Sequence, residues 1–317
     1  MSMSPAIALV PYLGTADDGL NPWLRLQPSE RRRLAMQAAH ERDTAALWGL
    51  TEAWLCADPR RGLVAVGTTK NYRTGLRHLL DAWHQEDLLR PAPDAAAAYV
   101  RVLERRGLAP DTIANRLATA RGLYAAFRWA RAVLADPFEG VHAPRDPTPP
   151  WEKRLPYDDE VAALAQAAAD AHDRVLVLLG AHAGLRAGEC VALRWEDVRP
   201  GRRDLTVRRG KGGAARTVAM SATLAQALQV LPRRPDGYVL PYRASVSAWR
   251  HVQALCAVTG VAPKGVHSLR HSAGTRLYAE TGDLETTARH LGHAKLETTR
   301  VYAKWSDRRL RETIGRW

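Results

Sequence analysis

Residues 267–306 read HSLRHSAGTRLYAETGDLETTARHLGHAKLETTRVYAKWS, and they place four histidines, Arg270 and Tyr302 in one short region of helical pattern. His267 and Arg270 stand three residues apart, so a helix carries both on one face. Tyr302 lies nine residues beyond His293 of the Leu291-Gly292-His293 triplet and follows Thr298 and Thr299 at the start of a short helix. No strand-like alternation interrupts the stretch, so the C-terminal part of the chain is expected to be helical.

The helical pattern extends outward from this stretch. Val246, Trp249, Val252 and Leu255 recur at helical spacing. Leu205, Val207 and the run Thr217-Val218-Ala219 read as short strands, and the segment RRGKGGAAR between them has the glycines a tight turn needs. Before the strands, a helix from about Asp158 to Ala183 leads into GLRAGECVALRW, which carries Arg186 and Glu189. The region 157–317 is therefore expected to be mostly helical with one small antiparallel sheet.

The stretch from Pro137 to Pro156 carries prolines at 137, 144, 147, 149, 150 and 156. Proline fixes φ and removes an amide donor, so a linker belongs here, over residues 141–156. Upstream, residues 41–140 read as a helical bundle. Tyr72, Leu76, Leu79, Leu80 and Trp83 share one helical face, as do Ile113, Leu117, Ala120, Tyr124 and Phe127. Asp94 is positioned to cap an alanine-rich helix that runs to about Arg105. Residues 1–40 suggest a loose arm before a helix that starts near Ser29. On the Tyr72 helix, Lys70, Arg73 and Arg77 form a basic stripe opposite the apolar face, and Asn115, Arg116 and Arg121 stand on the later helix. A solvated face is the ordinary explanation of such a stripe, and phosphate or groove contact is the functional one.

The size, 317 residues, suits two domains, and the apolar fraction of 46% supports real cores. A formal charge of +13 and a pI near 10.1 make a polyanion the leading partner, because clustered cations release counterions from phosphates. A membrane is disfavoured: the apolar run from Ala6 to Val10 stops at Pro11 and follows no basic segment, so cytosolic residence is the expectation. Cys56, Cys190 and Cys256 are far apart and read as small buried hydrophobes, not as a disulfide or zinc framework.

Cleaving a phosphodiester by side-chain attack takes a nucleophile, cations on the non-bridging oxygens and an acid for the leaving oxygen. Arginine suits the cationic role because its planar fork holds two oxygens and stays charged, which makes Arg186 and Arg270 candidates. Any one arginine is weak evidence where there are 40. Six lysines, at 70, 153, 211, 264, 295 and 304, are all the chain has, so Lys211 between two glycines points to a need that arginine does not meet. Proton donation is such a need. The four histidines 267, 271, 290 and 293 invite a metal, but the segment supplies no cysteine and no metal motif, and phosphate contact by His267 and His293 accounts for them without one.

HAGLRAGECVALRWEDV, GKGGAARTVAM, HSLRHSAGT and LGHAKLETTRVYAKW, in that order, resemble the tyrosine recombinases, the phage-integrase type that includes the Xer group. The resemblance covers residues 151–317 and, more faintly, 45–140. It implies a SAM-like helical core-binding domain and a catalytic domain that close on double-stranded DNA as a C-shaped clamp. It also implies roles. Arg186, Arg270 and His293 would hold the scissile phosphate, Lys211 would protonate the leaving 5′ oxygen, and His267 would assist. Tyr302 would form a 3′-phosphotyrosyl bond, Glu189 would support the site, and no nucleotide cofactor or metal would be needed. The tail LRETIGRW resembles a segment that docks into a neighbouring protomer, which implies a tetramer on two duplexes, alone or with a second recombinase, in the nucleoid. Gly274 stands where the family more often has alanine, and the expected cost is about 1 kcal/mol of helix propensity with nothing catalytic affected. The usual RGLS-type opening is replaced by CADPRRGLVAVGTTKNYR, so dimer resolution and phage or transposon integration both stay open. Two rival readings remain beside strand exchange: relaxation of DNA by the same residues, as in a topoisomerase, and a non-catalytic architectural protein.

Overall fold

Buried apolar faces at helical spacing assemble the first of two units, residues 1–147, and a second core organises residues 148–317. The computed structural model describes residues 21–57, 66–149, 152–153, 155–208, 215–293, 298–303 and 314–315. Lys211, the arm to residue 20 and the LRETIGRW tail except residues 314–315 lie outside them.

In the first unit α1 spans Pro28–Glu41, α2 Thr44–Ala57, α3 Val66–Ala82, α4 Ala95–Arg105 and α5 Pro110–Trp129. The face predicted on α3 is buried at Leu76, Leu79 and Leu80, with Trp83 just beyond, and all five residues predicted on α5 are buried. α3 and α5 cross closely because each has a glycine at the contact: a Cβ at Gly75 would collide with Thr119, and one at Gly122 would lie 2.6 Å from the Tyr72 ring. The helix expected near Ser29 is α1, and the residues just before it, from 21, pack on the bundle instead of forming a loose arm. Trp23, Leu34, Ala35, Ala38 and Ala39 are in the core, and Arg42 donates to the carbonyls of Leu80 and Trp83, closing the end of α3. Asp94 occupies the position before α4, but its side chain makes no capping bond.

The proline-rich stretch does not leave the bundle at once. Phe138 is fully buried, its ring 5.2 Å from that of Trp83 and nearly parallel, and it meets Tyr99 and Tyr124 edge-on or tilted. Arg121 holds this return segment by donating to the carbonyls of Phe138, at 3.3 Å, and Val141. That engagement separates Arg121 from Lys70, Arg73, Arg77 and Asn115, which are exposed.

In the second unit the elements are α6 Glu160–Ala167, α7 Ala171–Ala181, α8 Ala187–Ala192, β1 Val198–Arg199, β2 Asp204–Val207, β3 Arg216–Ala219, α9 Ala222–Val230, α10 Ser245–Thr259, α11 Val266–Thr281, α12 Leu284–Leu291 and α13 Arg300–Ala303. The single helix expected from Asp158 to Ala183 is two. Ala168 is extended, and Asp170 starts a new helix by accepting from the His172 amide. α7 is the centre: residues 175–181 are all buried, and α6, α9, α10 and α11 pack around it. The sheet is antiparallel in the order β1-β2-β3 with Leu205 opposite Val218, both inward, and β1 is the strand the sequence did not announce. On α10, Val252 and Leu255 point inward as expected, but Val246 is exposed and Ala248 takes the buried place. Cys190 and Cys256 are buried and Cys56 is only half so. Among the described residues no helix is long and apolar enough to cross a membrane.

Candidate active site

α8, β3, α11, the turn after α12 and α13 bring most of the singled-out residues together. Arg186 immediately precedes α8, where Glu189 reaches back to its amide at 2.9 Å and pairs with its guanidinium at 2.9 Å. Arg270 projects from α11 into the interior and is 1% exposed. It donates to the carbonyl of Gly184 at 2.5 Å and to that of Leu291 at 2.7 Å, and lies 3.9 Å from Glu189. Burial and the charge of Arg186 lower its pKa to about 10, so it remains a cation at neutral pH.

Gly292 ends α12 in the left-handed conformation, with φ of +68°, and the His293 amide closes the turn on the Ala288 carbonyl at 2.9 Å. The Leu-Gly-His triplet is thus a helix stop that presents His293. Its Nδ1 meets Thr299 Oγ1 at 2.9 Å, which leaves Nε2 as the nitrogen for a ligand. Burial, then Arg270, Arg186, His267 and Arg216, lower the His293 pKa to about 4, so the ring is neutral at neutral pH.

Tyr302 on α13 is 1% exposed, and its ring stacks on His293, with centroids 6.1 Å apart and planes 11° apart. Its hydroxyl meets Nδ1 of His271 at 3.3 Å. His267 is exposed at the start of α11 and reaches this group through His271, ring to ring at 5.2 Å. The predicted residues Arg186, Glu189, Arg270, His293 and Tyr302 are therefore neighbours, with His267 at their edge.

The reading of Gly274 as a plain helix cost needs correction. A Cβ there would lie 2.5 Å from Tyr302 Cζ and 2.7 Å from Cε1 and Cε2, so the tyrosine ring rests on the bare backbone of α11. Gly274→Ala should lower the melting temperature despite a helix-propensity gain of about 1 kcal/mol, because overpacking costs about 1–3 kcal/mol. Thermal unfolding checks this, and a rise would mean that the ring yields freely.

Three residues were missed. Arg216 on β3 holds both oxygens of Glu189, at 2.9 and 2.8 Å. Burial alone would push the Glu189 carboxyl up, but the bonds from Arg216 and the Arg186 amide, with both arginine charges, bring it down to about 2. His271 reads from sequence only as a metal ligand, though it lies one turn from His267. Thr299, fully buried, was visible only as the second of two threonines before the tyrosine.

The model of the Phage integrase family matches residues 154–309, and that of the Phage integrase, N-terminal SAM-like domain, matches residues 61–131. The tyrosine recombinase XerC of Halalkalibacterium halodurans is 30% identical over 286 residues, covering 77% of this chain and 89% of that protein. The chain belongs to the phage integrase family. It is a site-specific tyrosine recombinase, an enzyme that transfers DNA strands. The recombinase also resembles in fold a lambda integrase dimer bound to a COC′ core site, with a TM-score of 0.65, 17% identity, and coverage of 81% of this chain and 76% of that one. A XerH site-specific recombinase bound to palindromic difH substrate, in a post-cleavage complex, gives 0.62 at 17% identity, over 95% of this recombinase and 98% of that chain. These two likenesses bear on the fold: a mainly helical protein with a SAM-like bundle and a helical catalytic domain holding a small sheet. The relaxation-only and architectural readings are not favoured, since the matched relatives are recombinases.

Proposed function

We propose that this recombinase cuts and rejoins DNA through a covalent bond to Tyr302. The tyrosine oxygen attacks the scissile phosphorus, a bond forms from phosphorus to that oxygen, and the bond from phosphorus to the 5′ oxygen breaks. His267 assists removal of the tyrosine proton, and Lys211 gives a proton to the leaving oxygen. Arg186, Arg270 and His293 hold the non-bridging oxygens, and Glu189 fixes the arginines. A 5′ hydroxyl of the partner strand then reverses the step on the other duplex. The energy of the broken bond is kept in the phosphotyrosine, so the reaction needs no nucleotide cofactor or metal. The observation that carries this reading is the packing of Tyr302 against His293 beside two guanidinium groups fixed around one carboxylate. The place of Lys211 in the scheme rests on the GKGG resemblance.

Lys70, Arg73, Arg77, Asn115 and Arg116 on α3 and α5 are the proposed duplex contacts of the first unit. Arg73 and Arg77 flank a cleft that Trp48 and Leu76 line, with the Arg73 guanidinium 5.4 Å from the Trp48 ring centroid. The proposed assembly is a tetramer on two duplexes, alone or with a second recombinase, working at the nucleoid in the cytoplasm. The lambda integrase of the similar structure is a dimer on its core site.

The experiment is a trapping assay. The full-length protein selects its site from a random duplex library, and that site is rebuilt with a nick beside the scissile position so that the short leaving strand diffuses away. Incubation without metal should give a covalent adduct on a denaturing gel, and peptide mapping should place the nucleotide on Tyr302. A bound site that yields no adduct, or an adduct on another residue, would defeat the reading.

A further inference from the structure

Glu189 touches three guanidinium groups, those of Arg186, Arg216 and Arg270, and both of its oxygens are occupied by the fork of Arg216. Arg216 is not one of the residues assigned to the reaction, yet its side chain is only 14% exposed and Glu189's 6%. One carboxylate against two arginines would cancel half of the charge meant for the phosphate. One against three leaves two positive charges, the complement of a five-coordinate phosphorus carrying two negative ones. Arg216 also joins two parts of the site and follows a third in sequence. It lies on β3 just past the segment that bears Lys211, it grips α8 through Glu189, and its stem fills the space that a side chain at Gly292 would take, 2.6 Å from a Cβ there.

We propose that Arg216 is a positioning residue of the strand-transfer site, which neutralises Glu189 so that Arg186 and Arg270 keep their charge for the scissile phosphate. The proposal rests on the reading that Arg186 and Arg270 bind that phosphate. Arg216 itself touches the carboxylate and not the DNA. When it is removed, Glu189 turns from a brace into a competitor for the two arginines, and the same bond that orients Arg186 withdraws its charge.

The test is single-turnover cleavage of the nicked selected site by Arg216→Met, Arg216→Lys, Glu189→Gln and the double variant Arg216→Met with Glu189→Gln, each assayed well below its melting temperature. Arg216→Met should cleave about 100-fold more slowly with duplex affinity within twofold of wild type, the size expected when one preorganised charge is lost. Arg216→Lys should recover part of the rate, since one of two bonds returns. The double variant should cleave at least about tenfold faster than Arg216→Met, because the uncompensated carboxylate is gone. A merely structural arginine would give no rescue. A folded Arg216→Met with wild-type rate, or a double variant no faster than it, overturns the proposal. Arg186→Ala serves as the separate control: if it cleaves like wild type the phosphate reading itself fails, whereas an inactive Arg186→Ala beside a fully active Arg216→Met sinks only the role of Arg216.

Discussion

Tyr302→Phe should eliminate covalent capture of DNA while leaving the protein folded and able to bind its site. Removing an enzyme's nucleophile costs on the order of 10⁶ in rate, which places cleavage below detection. The stability cost should be small, about 1 kcal/mol or less, because the lost hydroxyl contributes a long contact of 3.3 Å to His271 and the ring still fills its place on Gly274 and His293. Trapping assays, gel shifts and thermal unfolding on the same preparation check the three parts together. Residual adduct at more than a thousandth of the wild-type level would mean that another side chain supplies the nucleophile.

Arg270 should be costly to both catalysis and stability. Arg270→Ala leaves the carbonyls of Gly184 and Leu291 without their donors and opens a space in the interior, so a loss of about 3–5 kcal/mol is expected. Arg270→Lys keeps one cation and can reach one of the two carbonyls. It should fold, and it should cleave about 10³-fold more slowly, since the fixed fork is what matches two phosphate oxygens. Thermal unfolding of both variants and single-turnover cleavage by the lysine variant decide the matter. An Arg270→Lys enzyme with a near-wild-type rate would show that plain charge suffices and that the fork is there for the carbonyls alone.

The parts of this molecule that follow from local pattern were readable in the chain. The buried faces of α3 and α5 and the hairpin strands each depend on residues within a few positions of one another. The break at Ala168–Asp170 was not readable in the same way, because its alanines suit a helix and only the capping bond of Asp170 reveals a new start. Arg216 shows a different limit. Its partner is 27 positions away, and among 40 arginines nothing in the neighbouring residues sets it apart. Gly274 was misread for a related reason: helix propensity is a property of one helix, while the role of this glycine is to admit a ring from another. Burial decided the rest, since the identity of His271 and Thr299 says little until the one is found against Tyr302 and the other against His293.

The burial of Phe138 among Trp83, Tyr99 and Tyr124 bears on how such enzymes can be cut and recombined. A swap of the first unit between two recombinases, made where the prolines start, would strip an aromatic plug from one parent and leave a foreign one facing its cavity. The interchangeable cassette ends near residue 147 instead, with the return segment and its Arg121 clasp travelling as part of it.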